Sequence, residues 1–261
     1  MKKLLAIIPF ASLSVAIAAQ GGGNTRLGAI TGLRPEKADY YKKLHAEPWP
    51  NVMLRIEQSN IRNYSIFLKE IDGKLFLFSY FEYAGENQAD DFAKIGADPT
   101  TQRWWKETDP CQIPFPRAAK KGGIWDDMEE VFHSDGAMDV KPAKAIRRFA
   151  SVTGLKLDKE AYYRTLHQTT WPGVLKQIRE ANIRNYSIYL KDIGEKLYLF
   201  SYFEYVGADF DGDMAKIGED PTTRRWWRQT DDCQIPLPEA AVDASGKKGP
   251  WVGMEEVFHT N

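Results

Sequence analysis

The four histidines of this 261-residue chain fall into two pairs, His45 with His167 and His133 with His259. Histidine's ordinary pKa lies nearest neutrality, so it is the side chain best suited to carry a proton at ambient pH. His45 follows Tyr41 by four residues, and His167 follows Tyr163 by four. On a helix that spacing sets a phenol and an imidazole on one face. His133 and His259 each close the tetrapeptide Glu-Val-Phe-His and are read as structural. Trp104-Trp105 and Trp226-Trp227 are adjacent, each pair preceded by an arginine. Neighbouring helix residues point about 100° apart, so one indole can enter a core while the other lines a cavity. Indole faces stack on the C–H faces of sugars.

The other candidates carry less. Asn63-Tyr64-Ser65 and Asn185-Tyr186-Ser187 match the glycosylation sequon but open apolar strands, so the match is read as accidental. Alternation along such a strand would turn Tyr64 and Asn63 to opposite faces. Cys111 and Cys233 stand one per copy of a repeat. Neither has a second ligand at metal-binding spacing; export leaves a disulfide between the copies open, but the sequence shows no proximity between them, so free thiols are the expectation. There is no phosphate-cradling glycine loop, nucleophile elbow or zinc-protease motif, and neither a cofactor nor a metal is expected. Thirty-five basic residues against thirty-six acidic ones leave a net charge of −1, which argues against nucleic acid as the main partner. At 43% hydrophobic and 27% charged, the composition is that of a globular chain.

The elements that hold these residues occur twice. Asn60–Tyr83 and Asn182–Tyr205 agree at nineteen of 24 positions with an offset of 122, which rises to 126 after an insertion before Trp251. A repeat of this length is a duplicated domain rather than a solenoid. The expected order in the first copy is a strand over 26–33 and a helix from Pro35 to about Asn60, kinked or broken near Trp49 by its flanking prolines. A hairpin turning at Asp72-Gly73 follows, then a helix from Gln88 and a short one capped by Asp98 ahead of Pro99. A last strand covers Met128–His133. This β-α-β-β-α-β order is the ferredoxin-like plan. It predicts an α+β chain of two tandem domains, 24–135 and 144–261, packed as an intramolecular pseudo-dimer, with further oligomerisation open. Lys2-Lys3, an apolar run from Leu4 to Ala18 and the small residues Ala16 and Ala18 read as a secretory signal over 1–19. Export to the periplasm or exterior is expected, with no membrane span in the mature chain.

Taken together, the motifs resemble the L-rhamnose mutarotase family. The likeness is carried by Tyr41-x-x-x-His45-x-x-x-Trp49-Pro50, Asn63-Tyr64-Ser65, Arg103-Trp104-Trp105, Asp109-Pro110-Cys111-Gln112 and Met128-Glu-Glu-Val-Phe-His133. All recur in the second copy, with Asp232 in place of Pro110. The resemblance implies a dimeric α/β-barrel fold and cofactor-independent interconversion of the α and β anomers of L-rhamnose. It makes His45 and His167 the proton donors. It makes Tyr41, Tyr64, Trp104 and Trp105, with Tyr163, Tyr186, Trp226 and Trp227, the sugar-binding residues. The partner base stays open among Tyr64, a carboxylate such as Asp109, and water. Family members are usually single-domain and cytosolic, whereas this chain is duplicated and carries an export signal. Monooxygenases and haem-handling proteins share the fold, and a sugar-binding protein without catalysis would need the same rings. A histidine kept in both copies favours catalysis.

Overall fold

The computed structural model describes residues 24–242, 246 and 248–261. The expected signal over 1–19 lies outside the described residues. In chain order the elements are β1 (Thr25–Leu33), α1 (Ala38–Ala46), α2 (Pro50–Gln58), β2 (Ile61–Ile71), β3 (Lys74–Tyr83), α3 (Gln88–Ala97) and α4 (Pro99–Thr108). Short β4 (Gln112–Ile113), α5 (Pro116–Ala119) and β5 (Asp126–Asp127) follow, then β6 (Glu129–Gly136). The second copy runs β7 (Arg147–Leu155), α6 (Glu160–Gln168), α7 (Pro172–Glu180), β8 (Ile183–Ile193), β9 (Lys196–Tyr205), α8 (Phe210–Glu219), α9 (Pro221–Cys233), β10 (Gln234–Ile235), β11 (Val252–Gly253) and β12 (Glu255–Thr260).

Local chemistry explains the boundaries. Pro50 opens α2 at its first position, where a missing N–H costs nothing, and Trp49 ahead of it is extended at ψ 130°. The stretch expected to be helical from Pro35 is thus two helices, with the break where the prolines bracket Trp49. Asp98 accepts hydrogen bonds from the backbone N–H groups of Thr100 and Thr101 and so caps α4. The β2–β3 turn places Asp72 at φ 50° and Gly73 at φ 72°, the pattern of a type I′ hairpin. The equivalent turn in the second copy has its positive φ at Gly194, the type II′ pattern.

The sheets are antiparallel, in the orders β12-β2-β3-β1-β4 and β6-β8-β9-β7-β10, with β5 also on β1 and β11 also on β7. The plan is ferredoxin-like, with one correction. The strand that ends each repeat is built into the sheet of the other. β12 pairs with β2, Glu255 opposite Leu68 through Thr260 opposite Tyr64. β6 pairs with β8, Glu129 opposite Leu190 through Gly136 opposite Arg184. One compact unit therefore holds the described residues up to Met128 together with Glu255–Asn261, and the other holds Glu129–Met254. The expected domains 24–135 and 144–261 exchange their last strands, and the expected boundary at 135 falls inside β6. The reason lies in the edges. The outer side of β1 is taken by β4 and β5, so the edge left to accept a strand is that of β2.

Each unit has its own core between sheet and helices. Leu33, Ile66 and Leu77 pack with Tyr41 and Cys111 in the first. Leu155, Ile188 and Leu199 pack with Tyr163 and Cys233 in the second. Both cysteines are buried free thiols.

Candidate active site

The break after α1 leaves His45 in the last turn of that helix, facing the core. Its Nδ1 lies 2.9 Å from the carbonyl oxygen of Tyr41; in the second unit His167 Nδ1 is 3.0 Å from that of Tyr163. A carbonyl can only accept, so Nδ1 carries the proton and Nε2 of the neutral ring carries the lone pair. The imidazole stacks on Tyr41 at 4.0 Å, and in the second unit lies 4.1 Å from the ring of Tyr163. It meets the edges of Trp104 at 5.3 Å and Phe258 at 5.5 Å, and His167 meets Trp226 and Phe132 at 5.4 Å each. Desolvation in this aromatic box lowers both histidines from 6.5 to about 4, against an opposing pull from the carbonyl.

The free side of each ring faces a cavity between sheet and helices. The first is walled by His45, Tyr64, Trp104, Trp105 and Phe258 over an aliphatic floor. The second is walled by His167, Tyr186, Trp226, Trp227 and Phe132. A concave, mostly apolar site with a few polar groups is the usual form of a small-molecule site. The tyrosines reach these walls through a kink in the strand. Asn63 and Asn185 sit at φ 49° and 52°, and the register of β2 and β8 shifts there. Asparagine tolerates that left-handed backbone better than most residues, and the bulge aims the next side chain into the cavity. The sequon asparagines are thus conformational. Burial pushes the Tyr64 hydroxyl well up and that of Tyr186 to about 12. Both stay protonated at neutral pH and can donate hydrogen bonds.

Eight of the ten expected site residues are on these walls. Tyr41 and Tyr163 are the exceptions. Each is 1% exposed and lies behind its histidine, holding it by ring contact and by backbone carbonyl. The candidate bases fare poorly. Tyr64 faces the cavity but keeps its proton. Asp109, which burial raises to about 6, is absent from the wall. His133 and His259 hydrogen-bond through Nδ1 to Ser187 and Ser65, 2.9 Å in each case, and also lie off the walls. Sequence reasoning missed Phe258 and Phe132. Their signal was present in the repeated Glu-Val-Phe-His, but not the sheet to which that strand belongs. It also left Trp49 and Trp171 without a role. They brace the walls, edge-on to Trp104 at 5.4 Å and to Trp226 at 5.5 Å.

The profile of the L-rhamnose mutarotase family matches residues 26–134 and again 148–260. The chain belongs to the L-rhamnose mutarotase family. The L-rhamnose mutarotase of Oceanobacillus iheyensis is 32% identical over 110 residues, 42% of this chain and 98% of that protein. That of Lactiplantibacillus plantarum is 30% identical over 110 residues, again 98% of its length. One such relative therefore corresponds to about one repeat. A solved protein of Fusobacterium nucleatum, provisionally assigned as a monooxygenase, superposes at a TM-score of 0.52 over 90% of this chain and 93% of that one, at 14% identity. That likeness is one of fold alone. Relatives named as mutarotases are isomerases acting on carbohydrates, so membership places this chain among carbohydrate isomerases.

Proposed function

We propose that this chain interconverts the α and β anomers of L-rhamnose at two sites, with His45 and His167 as the proton-transfer groups. The observation that carries this reading is an imidazole in the wall of an aromatic cavity, with its Nδ1–H spent on a backbone carbonyl, built twice.

A neutral histidine must take a proton before it can give one. Nε2 removes the proton of the anomeric hydroxyl, and the O1 electron pair becomes the second bond of a C1=O1 carbonyl. The C1–O5 bond breaks, its electron pair goes to O5, and O5 takes the proton from Nε2–H. Rotation about C1–C2 presents the other carbonyl face. The same steps in reverse close the ring as the other anomer. O1 and O5 are bonded to the same carbon, so one nitrogen serves both in turn and no separate base is required. A positioned acid–base group of this kind contributes about 10²–10⁴-fold. Tyr41 and Tyr163 orient the ring, Tyr64 and Tyr186 donate to sugar oxygens, and the tryptophans stack on the C–H face. The signal-like leader adds that the sugar is met outside the cytoplasm; a cytosolic full-length protein would count against export.

Polarimetry tests the activity. Freshly dissolved α-L-rhamnose reaches its equilibrium rotation faster in proportion to added protein. An unchanged rate over a range of protein concentrations would overturn the proposal.

A further inference from the structure

The outer walls of the two cavities differ. In the first unit twelve residues separate β4 from β5, and in the second sixteen separate β10 from β11. The shorter segment is tied down at its end. Phe115 N–H donates to the carbonyl of Ile124 at 2.9 Å, and the buried hydroxyl of Thr31 donates to Ile124 at 3.1 Å and Ile113 at 3.0 Å. Asp126 is paired with Arg117 at 2.9 Å, while the bond from Met128 N–H to Gly28 recurs in the second unit as Met254 N–H to Ala150. Trp125 lies between two residues fixed in this way, and its indole joins the cavity wall. The counterpart Trp251 lies between Pro250 and Val252, so no carboxylate follows it. Among the described residues the Thr153 hydroxyl reaches Ile235 and its own neighbour Gly154, both at 3.4 Å. Trp251 packs on its core and is not on the wall of the second cavity.

We propose that Trp125 is a further sugar-stacking residue, present in the first site alone, which makes the two sites of the chain unequal in affinity for a 6-deoxypyranose. This rests on the mutarotase reading. An indole held from both flanks loses little freedom on binding. Such a sugar offers it C–H groups and a methyl. A face that holds both anomers and the open form alike changes binding rather than the chemical step.

The test isolates each site. In His167→Ala protein, where the first site alone turns over, Trp125→Leu raises KM about two- to tenfold with a much smaller change in kcat. Trp125→Phe restores most of the loss, which also separates ring stacking from packing. In His45→Ala protein, Trp251→Leu leaves KM unchanged. An unaltered KM for Trp125→Leu, or an equal rise for Trp251→Leu, would overturn the proposal. Calorimetric titration of the same proteins with L-rhamnose is read separately. Affinity lost in Trp125→Leu while no protein mutarotates would retain the stacking and sink the enzymatic reading. Affinity unchanged would sink the stacking.

Discussion

His45 and His167 are uncharged at neutral pH, because the rings around them exclude the water that would stabilise an imidazolium. With both at about 4, the catalysed rate, after subtraction of the uncatalysed one, stays level from about pH 8 down to about 5.5. It then falls with an inflection near 4. An inflection near 6.5 would mean that the imidazoles are solvated and the box is open. Stability follows the same displacement. The unfolded chain binds these protons at 6.5 and the folded chain does not, so stability is whole above 6.5 and is lost as pH falls toward 4. The loss is at most about 1.4 kcal/mol per pH unit for each histidine. Asp109, held up at about 6, works in the opposite sense. The comparison that isolates the histidines is therefore the drop in melting temperature between pH 7 and pH 5 in the native protein and in a His45→Gln, His167→Gln variant. The variant drops less.

At the scale of elements, the cavity-facing tyrosines Tyr64 and Tyr186 depend on two asparagines that are not among the residues of the cavity walls. Asn63 also donates to Glu82 at 2.8 Å, and either alanine or glycine would lose that bond. Only glycine keeps the left-handed φ without strain. In His167→Ala protein, Asn63→Ala thus costs about 1 kcal/mol more stability than Asn63→Gly and raises KM further, as thermal melts and initial rates would show. Equal behaviour of the two variants would remove the bulge from the account. Residues with local rules made much of the fold legible in the sequence. Proline around Trp49 marked the helix break, Asp98-Pro99 the cap of α4, and Asp72-Gly73 the hairpin. The Tyr-x-x-x-His spacing brought ring and imidazole together as helical geometry requires. What alternation hides is a bulge, because one extra residue reverses the face of all that follow.

The whole molecule carries two histidine cavities, and each is finished by a strand from the opposite repeat. The duplication was plain from the offset of 122. The exchange was not, since a strand's own residues do not say which free edge will accept them. Phe258 and Phe132 cross over in this way. Phe258→Leu therefore lowers turnover in His167→Ala protein, where only the first-repeat histidine works, and spares His45→Ala protein. Phe132→Leu does the reverse, and initial rates on the four combinations check it. The most direct test of the account is anomeric exchange by NMR, with saturation of the α-anomer H1 of L-rhamnose and detection at the β signal. Transfer is expected with native protein, a part of it with either His45→Ala or His167→Ala, and none above background with both. Full transfer in a folded double variant, or none with native protein, would contradict it.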